Sequence, residues 1–157
     1  MKTGLVKKRG GIPKIILVDD EEWFQEYAEL LIRKYCNDVS LLKFRNRDEA
    51  WQEITRANPD LLITDLRNDN IPGPYGPAME DLGISGFEML RLLAARKVIF
   101  PILVVSGSLS VSGMEGLAKQ CAGSNLKTSY VTKPFTEELF FKGLRKCLGP
   151  SSHLDKR

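Results

Sequence analysis

The stretch "IILVDDEE", residues 15–22, sets four carboxylates, Asp19, Asp20, Glu21 and Glu22, directly behind a run of apolar β-formers. An apolar run without alternation marks a strand covered on both faces, as in a parallel sheet wrapped by helices. Four more strand-sized segments follow: 39–44, "DLLITD" (60–65), "PILVVSG" (101–107) and "SYVTKP" (129–134). Helical spacing fills the gaps between them. Residues 22–36 place Phe24, Tyr27, Ala28, Leu31, Ile32 and Tyr35 on one face, and 48–57 end at Asn58-Pro59. Residues 87–97 and a glycine-interrupted 111–122 give two more helices. The last helix, 137–148, turns Leu139, Phe140, Gly143, Leu144, Cys147 and Leu148 inward. Five strands alternating with five helices predict an α/β chain. The expected architecture is a flavodoxin-like doubly wound parallel sheet of order 2-1-3-4-5.

Composition fits this architecture and narrows the function. The 157 residues suffice for one domain, expected over 13–148, with a basic tail at 1–12 and a polar tail at 149–157. The net charge of +3 is mild, and Lys2, Lys7, Lys8 and Arg9 read as a solvated tail and not as a nucleic-acid arm. Apolar runs are far too short to span a bilayer, and the basic start has no apolar core behind it to act as a secretory signal. Cys36, Cys121 and Cys147 are odd in number and scattered, which predicts reduced thiols in a cytoplasmic protein. The single histidine, His153, lies in the polar tail, so chemistry built on a core histidine is excluded.

In a sheet of this order, ligands gather at the carboxyl ends of the strands. Strand one ends in Asp19 and Asp20, strand three in Asp65, strand four in Ser106, and strand five runs into Lys133-Pro134. Any one of these is an ordinary turn residue; together, on four strands, they form a cleft. Three close carboxylates stay ionised only with a compensating cation. Oxygen donors without His or Cys select Mg²⁺. A divalent ion facing an ammonium and a hydroxyl suits phosphoryl transfer. With neither histidine nor cysteine in the cleft, the nucleophile has to be a carboxylate.

The segments "ILVDDEE", "PDLLITDL", "GFEMLRLL", "PILVVSG" and "YVTKPF" jointly resemble the receiver domain of bacterial two-component response regulators, over roughly 13–148. The resemblance implies that Asp65 accepts the phosphoryl group, that Asp20 binds Mg²⁺ directly, and that Asp19 binds it through water. It further implies a backbone carbonyl of Arg67 on the metal, Ser106 and Lys133 on the phosphoryl group, and Tyr130 as an aromatic switch. The implied protein is no conventional enzyme, although it catalyses its own phosphorylation and dephosphorylation. Its implied partners are a sensor histidine kinase or phosphotransfer protein and a downstream protein, with no nucleic acid and no membrane span. The spacing from Asp65 to Gly86 is longer than usual for the family, which marks 67–85 as an inserted loop rich in Pro and Gly. Ser106 to Lys133 is also longer, and Arg67 is bulky for its position.

Two rival functions remain on the sequence. One is a degenerate receiver used only for docking. The other is a Mg²⁺ phosphatase with an aspartate nucleophile, which needs that nucleophile on the first strand and a second Asp two residues on, where this chain has Glu21. A calcium loop in "DLRNDNIPG" is excluded by Arg67 and Ile71 at ligand positions.

Overall fold

A computed structural model of the chain describes residues 11–65, 86–107, 110–123 and 125–150. Five strands, β1 (Lys14–Val18), β2 (Ser40–Phe44), β3 (Leu61–Thr64), β4 (Ile102–Ser106) and β5 (Thr128–Thr132), form one sheet ordered β2-β1-β3-β4-β5. Every neighbouring pair is parallel. The helices are α1 (Glu22–Tyr35), α2 (Arg47–Ala57), α3 (Gly86–Ala95), α4 (Val111–Ala122) and α5 (Glu137–Leu148). The strand order and the alternation of elements are those expected from the sequence.

The unbroken apolar strands are explained by two separate cores. Side chains along a strand point alternately to opposite faces. Ile15, Leu17, Leu61, Ile63, Leu103 and Val105 enter one core with Phe24, Leu31 and Leu144 of α1 and α5. Ile16, Val18, Leu62, Ile102 and Val104 enter the other with Ile54, Met89 and Met114 of α2, α3 and α4. Both alternating sets are therefore buried, and neither can be polar. α5 lies close against the sheet: a Cβ at Gly143 would sit 2.9 Å from a Leu103 methyl and 3.1 Å from a Val131 methyl.

Helix ends bring the strand termini into place. The Asn46 side chain caps α2 by accepting from the backbone N–H of Asp48 and Glu49, and Asn58 closes the helix in the left-handed conformation at φ 51. Ser110 caps α4 and Thr136 caps α5. α2 thus starts at Arg47, one residue before the position expected, which puts Arg47 in its first turn. Leu139 corrects the expected inward face of α5: it is 48% exposed, because it lies one position off the stripe formed by Phe140, Gly143, Leu144 and Cys147. β5 ends at Thr132, so Lys133-Pro134, expected inside the strand, follows it. The 67–85 insert, both tail ends and His153 lie outside the described residues.

Candidate functional site

The acid run leaves β1 at the carboxyl edge of the sheet. Asp19 is buried, and both of its carboxylate oxygens are engaged. Oδ1 accepts from the Glu21 N–H at 2.9 Å and Oδ2 from the Lys133 ammonium at 2.7 Å. Its main chain is fixed as well. The Asp19 N–H donates to the Phe44 carbonyl at 3.0 Å, and the buried Gln25 amide donates to the carbonyls of both Asp19 and Phe44 at 2.8 Å. One side chain of α1 therefore ties the ends of β1 and β2 together. Burial raises the Asp19 pKa, against the lowering effect of the Lys133 and Glu21 hydrogen bonds.

Lys133 reaches the site from just beyond β5. It also donates to Glu21 Oε1 at 2.8 Å, and its ammonium stands 4.4 Å from the Phe24 ring centroid. Burial works against its charge, but Asp19 and Glu21 outweigh burial and its pKa is raised. The Lys133 N–H donates to the Ser106 carbonyl at 2.9 Å, which seats the lysine on the end of β4.

Asp65, at the end of β3, is 1% exposed. Its Oδ1 accepts from the buried Arg47 guanidinium at 2.7 Å; its Oδ2 is buried and has no hydrogen-bond partner among the described residues. Burial and the neighbouring Asp19 push its pKa up to about 7, opposed by Arg47 and Lys133. A buried carboxylate oxygen without a partner costs free energy, and native structures retain few of them. The residue borders an opening: Asp65, Ser106, Gly107, Lys133, Glu21 and Trp23 line a cleft of about 400 Å³.

One carboxylate oxygen from each of Asp19, Asp20 and Asp65 lies within 4.8 Å of the others. Asp20 is exposed, while Asp19 and Asp65 are buried. These are oxygen donors only, the set a hard divalent ion prefers. Asp19, Asp20, Glu21 and Asp65 against Lys133 and Arg47 leave this group of six with two excess negative charges. The residues fit Mg²⁺.

The fold brings together five of the residues picked out by sequence, Asp19, Asp20, Asp65, Ser106 and Lys133. Tyr130 is elsewhere. It is half-buried on β5, its hydroxyl 2.9 Å from that of Thr128, and it borders a second cavity with Val111, Leu139 and Lys142. Arg67 lies outside the described residues. Three contributors were missed by sequence reasoning. Gln25 interrupts the apolar face of α1 as a polar residue at a buried helical position, a signal that was present. Glu21 was seen as charge but not as the second partner of Lys133. Arg47 had no periodicity to mark it; only its place just behind the capping Asn46, at the end of β2, hints at the site.

No family model matches the chain. Solved structures match it over most of its length. The chemotaxis protein CheY4 of Vibrio cholerae superposes with a TM-score of 0.64 at 18% identity, covering 88% of this chain and 100% of its own. A CheY-like response regulator receiver domain protein of Methanospirillum hungatei gives 0.64 at 16% identity, covering 88% and 94%. The receiver domain of a signal transduction histidine kinase of Syntrophus aciditrophicus gives 0.62 at 18%, covering 87% and 89%. This chain has the receiver fold of response regulators. In sequence it is 26% identical over 152 residues to the transcriptional regulatory protein TrcR of Mycobacterium tuberculosis. That match takes in 96% of this chain but only 51% of the relative, so the receiver-like chain spans about half the relative's length. Among the described residues, no helix is long and apolar enough to cross a membrane.

Proposed function

We propose that this receiver fold is a working phospho-acceptor, with Asp65 taking a phosphoryl group from the phosphohistidine of a sensor histidine kinase or phosphotransfer protein. The observation that carries the proposal is the Asp65 carboxylate, which lines the cleft while its buried Oδ2 has no hydrogen-bond partner among the described residues. Asp19, Asp20 and Asp65, with the Arg67 carbonyl, would hold Mg²⁺, which when bound neutralises charge on the transferring oxygens.

The protein's own groups do the rest. An Asp65 oxygen attacks phosphorus and an O–P bond forms. The P–N bond of the donor breaks, its electron pair stays on the imidazole nitrogen, and that nitrogen takes up a proton. Lys133, held at the cleft by Asp19 and Glu21, stands ready to pair with the phosphoryl oxygens, and the Ser106 hydroxyl donates to one of them. The added charge then biases the packing around Tyr130, and the result is read by a downstream protein. The setting proposed is cytoplasmic. Cys36 and Cys147 are free thiols, both pushed up to about 11 by burial and so unreactive. The phosphatase alternative is not favoured, because it needs the nucleophile on β1, where both Asp19 oxygens are engaged.

Incubation with acetyl phosphate and Mg²⁺ tests this by intact mass. Wild type should gain one phosphoryl group, and Asp65→Asn or excess EDTA should abolish the gain. Equal labelling of Asp65→Asn would refute it.

A further inference from the structure

The Arg47–Asp65 ion pair places a fixed positive charge on one oxygen of a carboxylate that metal binding would use. It is buried at both ends, with side chains 7% and 2% exposed, and short at 2.7 Å. The guanidinium is fixed at the first position of α2, behind the Asn46 cap, on an eleven-residue helix. It approaches the same carboxylate that offers an oxygen within 4.8 Å of one from each of Asp19 and Asp20. A guanidinium carries five donors and no acceptor, so it cannot share a metal; it can only take the metal's place as a positive charge. Among the described residues, Lys133 holds Asp19 and Glu21, and Arg47 holds Asp65.

We propose that Arg47 is a built-in counter-cation that competes with a divalent ion for Asp65, so that metal binding requires the Arg47–Asp65 pair to open or weaken. The inference rests on Asp65 being the metal-binding acceptor described above. Arg47 is then a positioning residue: it tunes how much Mg²⁺ the site needs before it can react. In the metal-free protein it supplies the charge that the buried carboxylate otherwise lacks.

Calorimetric Mg²⁺ titration of wild type, Arg47→Gln, Asp65→Asn and the double variant tests this without any phosphodonor. Arg47→Gln should bind Mg²⁺ about tenfold tighter, the scale of one charge-assisted hydrogen bond that no longer has to be broken. In the Asp65→Asn background the same substitution should change affinity less than about twofold, since the competed carboxylate is gone. In wild type, the guanidinium protons of Arg47, followed by NMR, should exchange faster at saturating Mg²⁺ than in EDTA. That second measurement needs no variant to fold. Unchanged or weaker Mg²⁺ affinity in Arg47→Gln, equal effects in both backgrounds, or unchanged Arg47 protection overturns the inference. If wild type still labels at Asp65 in that event, the proposed function stands without it. Mg²⁺ binding to neither wild type nor Arg47→Gln removes both. Binding to Arg47→Gln alone supports the inference in its strongest form.

Discussion

Two buried aspartates end neighbouring strands of the same sheet, and they are treated in opposite ways. At the end of β1, Asp19 has a backbone N–H on one oxygen and an ammonium on the other, and its main chain is gripped by Gln25 and Phe44. At the end of β3, Asp65 has a guanidinium on one oxygen and no described residue on the other. Burial is the same for both, 1% exposed. The difference is therefore not depth but what each carboxylate was given. Asp19 is a finished structural node that also offers an oxygen to a metal. Asp65 is left incomplete, and in a folded protein an incomplete buried charge is usually completed by something that binds.

The largest expected effect breaks the finished node. Lys133→Ala removes the ammonium from a fully buried Asp19, and should cost about 3 kcal/mol of stability in EDTA, the scale of an orphaned buried charge. Mg²⁺ should restore part of it by supplying the missing positive charge. Denaturant unfolding with and without Mg²⁺ reads both. Loss below about 0.5 kcal/mol would mean that Asp19 is not held as described.

Gln25→Ala sharpens the same side. The amide serves the carbonyls of Asp19 and Phe44, and its loss should cost about 1–3 kcal/mol while leaving Asp65 untouched. Mg²⁺-dependent labelling should persist in this variant once it is folded. A variant that keeps full stability would show that β1 and β2 need no such tie.

Asp65→Asn should do the least. An amide can still accept from Arg47, and relief of the buried charge that Asp65 sets beside Asp19 offsets the loss of the ion pair, so stability should shift by less than about 1 kcal/mol. Unfolding curves that coincide with wild type in EDTA, with labelling lost, would separate the two aspartates cleanly. A loss as large as that of Lys133→Ala would erase the contrast.

The sheet was legible because its strands had to be. Ile15 to Val18, Leu61 to Ile63 and Ile102 to Val105 face two cores at once, and no polar residue can interrupt them. Acids at the ends of such runs could be placed in one cleft by strand order alone, which is why Asp19, Asp20, Asp65, Ser106 and Lys133 were found together. Pairings among them were not legible. Lys133 bonding to Asp19 and Glu21, Gln25 bridging β1 and β2, and Arg47 reaching Asp65 all depend on where long side chains point, and periodicity carries no record of that. Leu139 shows the same limit from the other side: an apolar residue one step off the buried stripe of α5 reads as core and is exposed.

Borohydride trapping identifies the phosphorylated residue chemically, because an aspartyl phosphate is reduced at the residue that carries it. After reaction with acetyl phosphate and Mg²⁺, the reduced protein is digested and sequenced by mass spectrometry. Homoserine is expected at position 65 and nowhere else, with none formed in EDTA. Homoserine at 19 or 20, or no reduction product under conditions where Mg²⁺ binds, would contradict Asp65 as the acceptor.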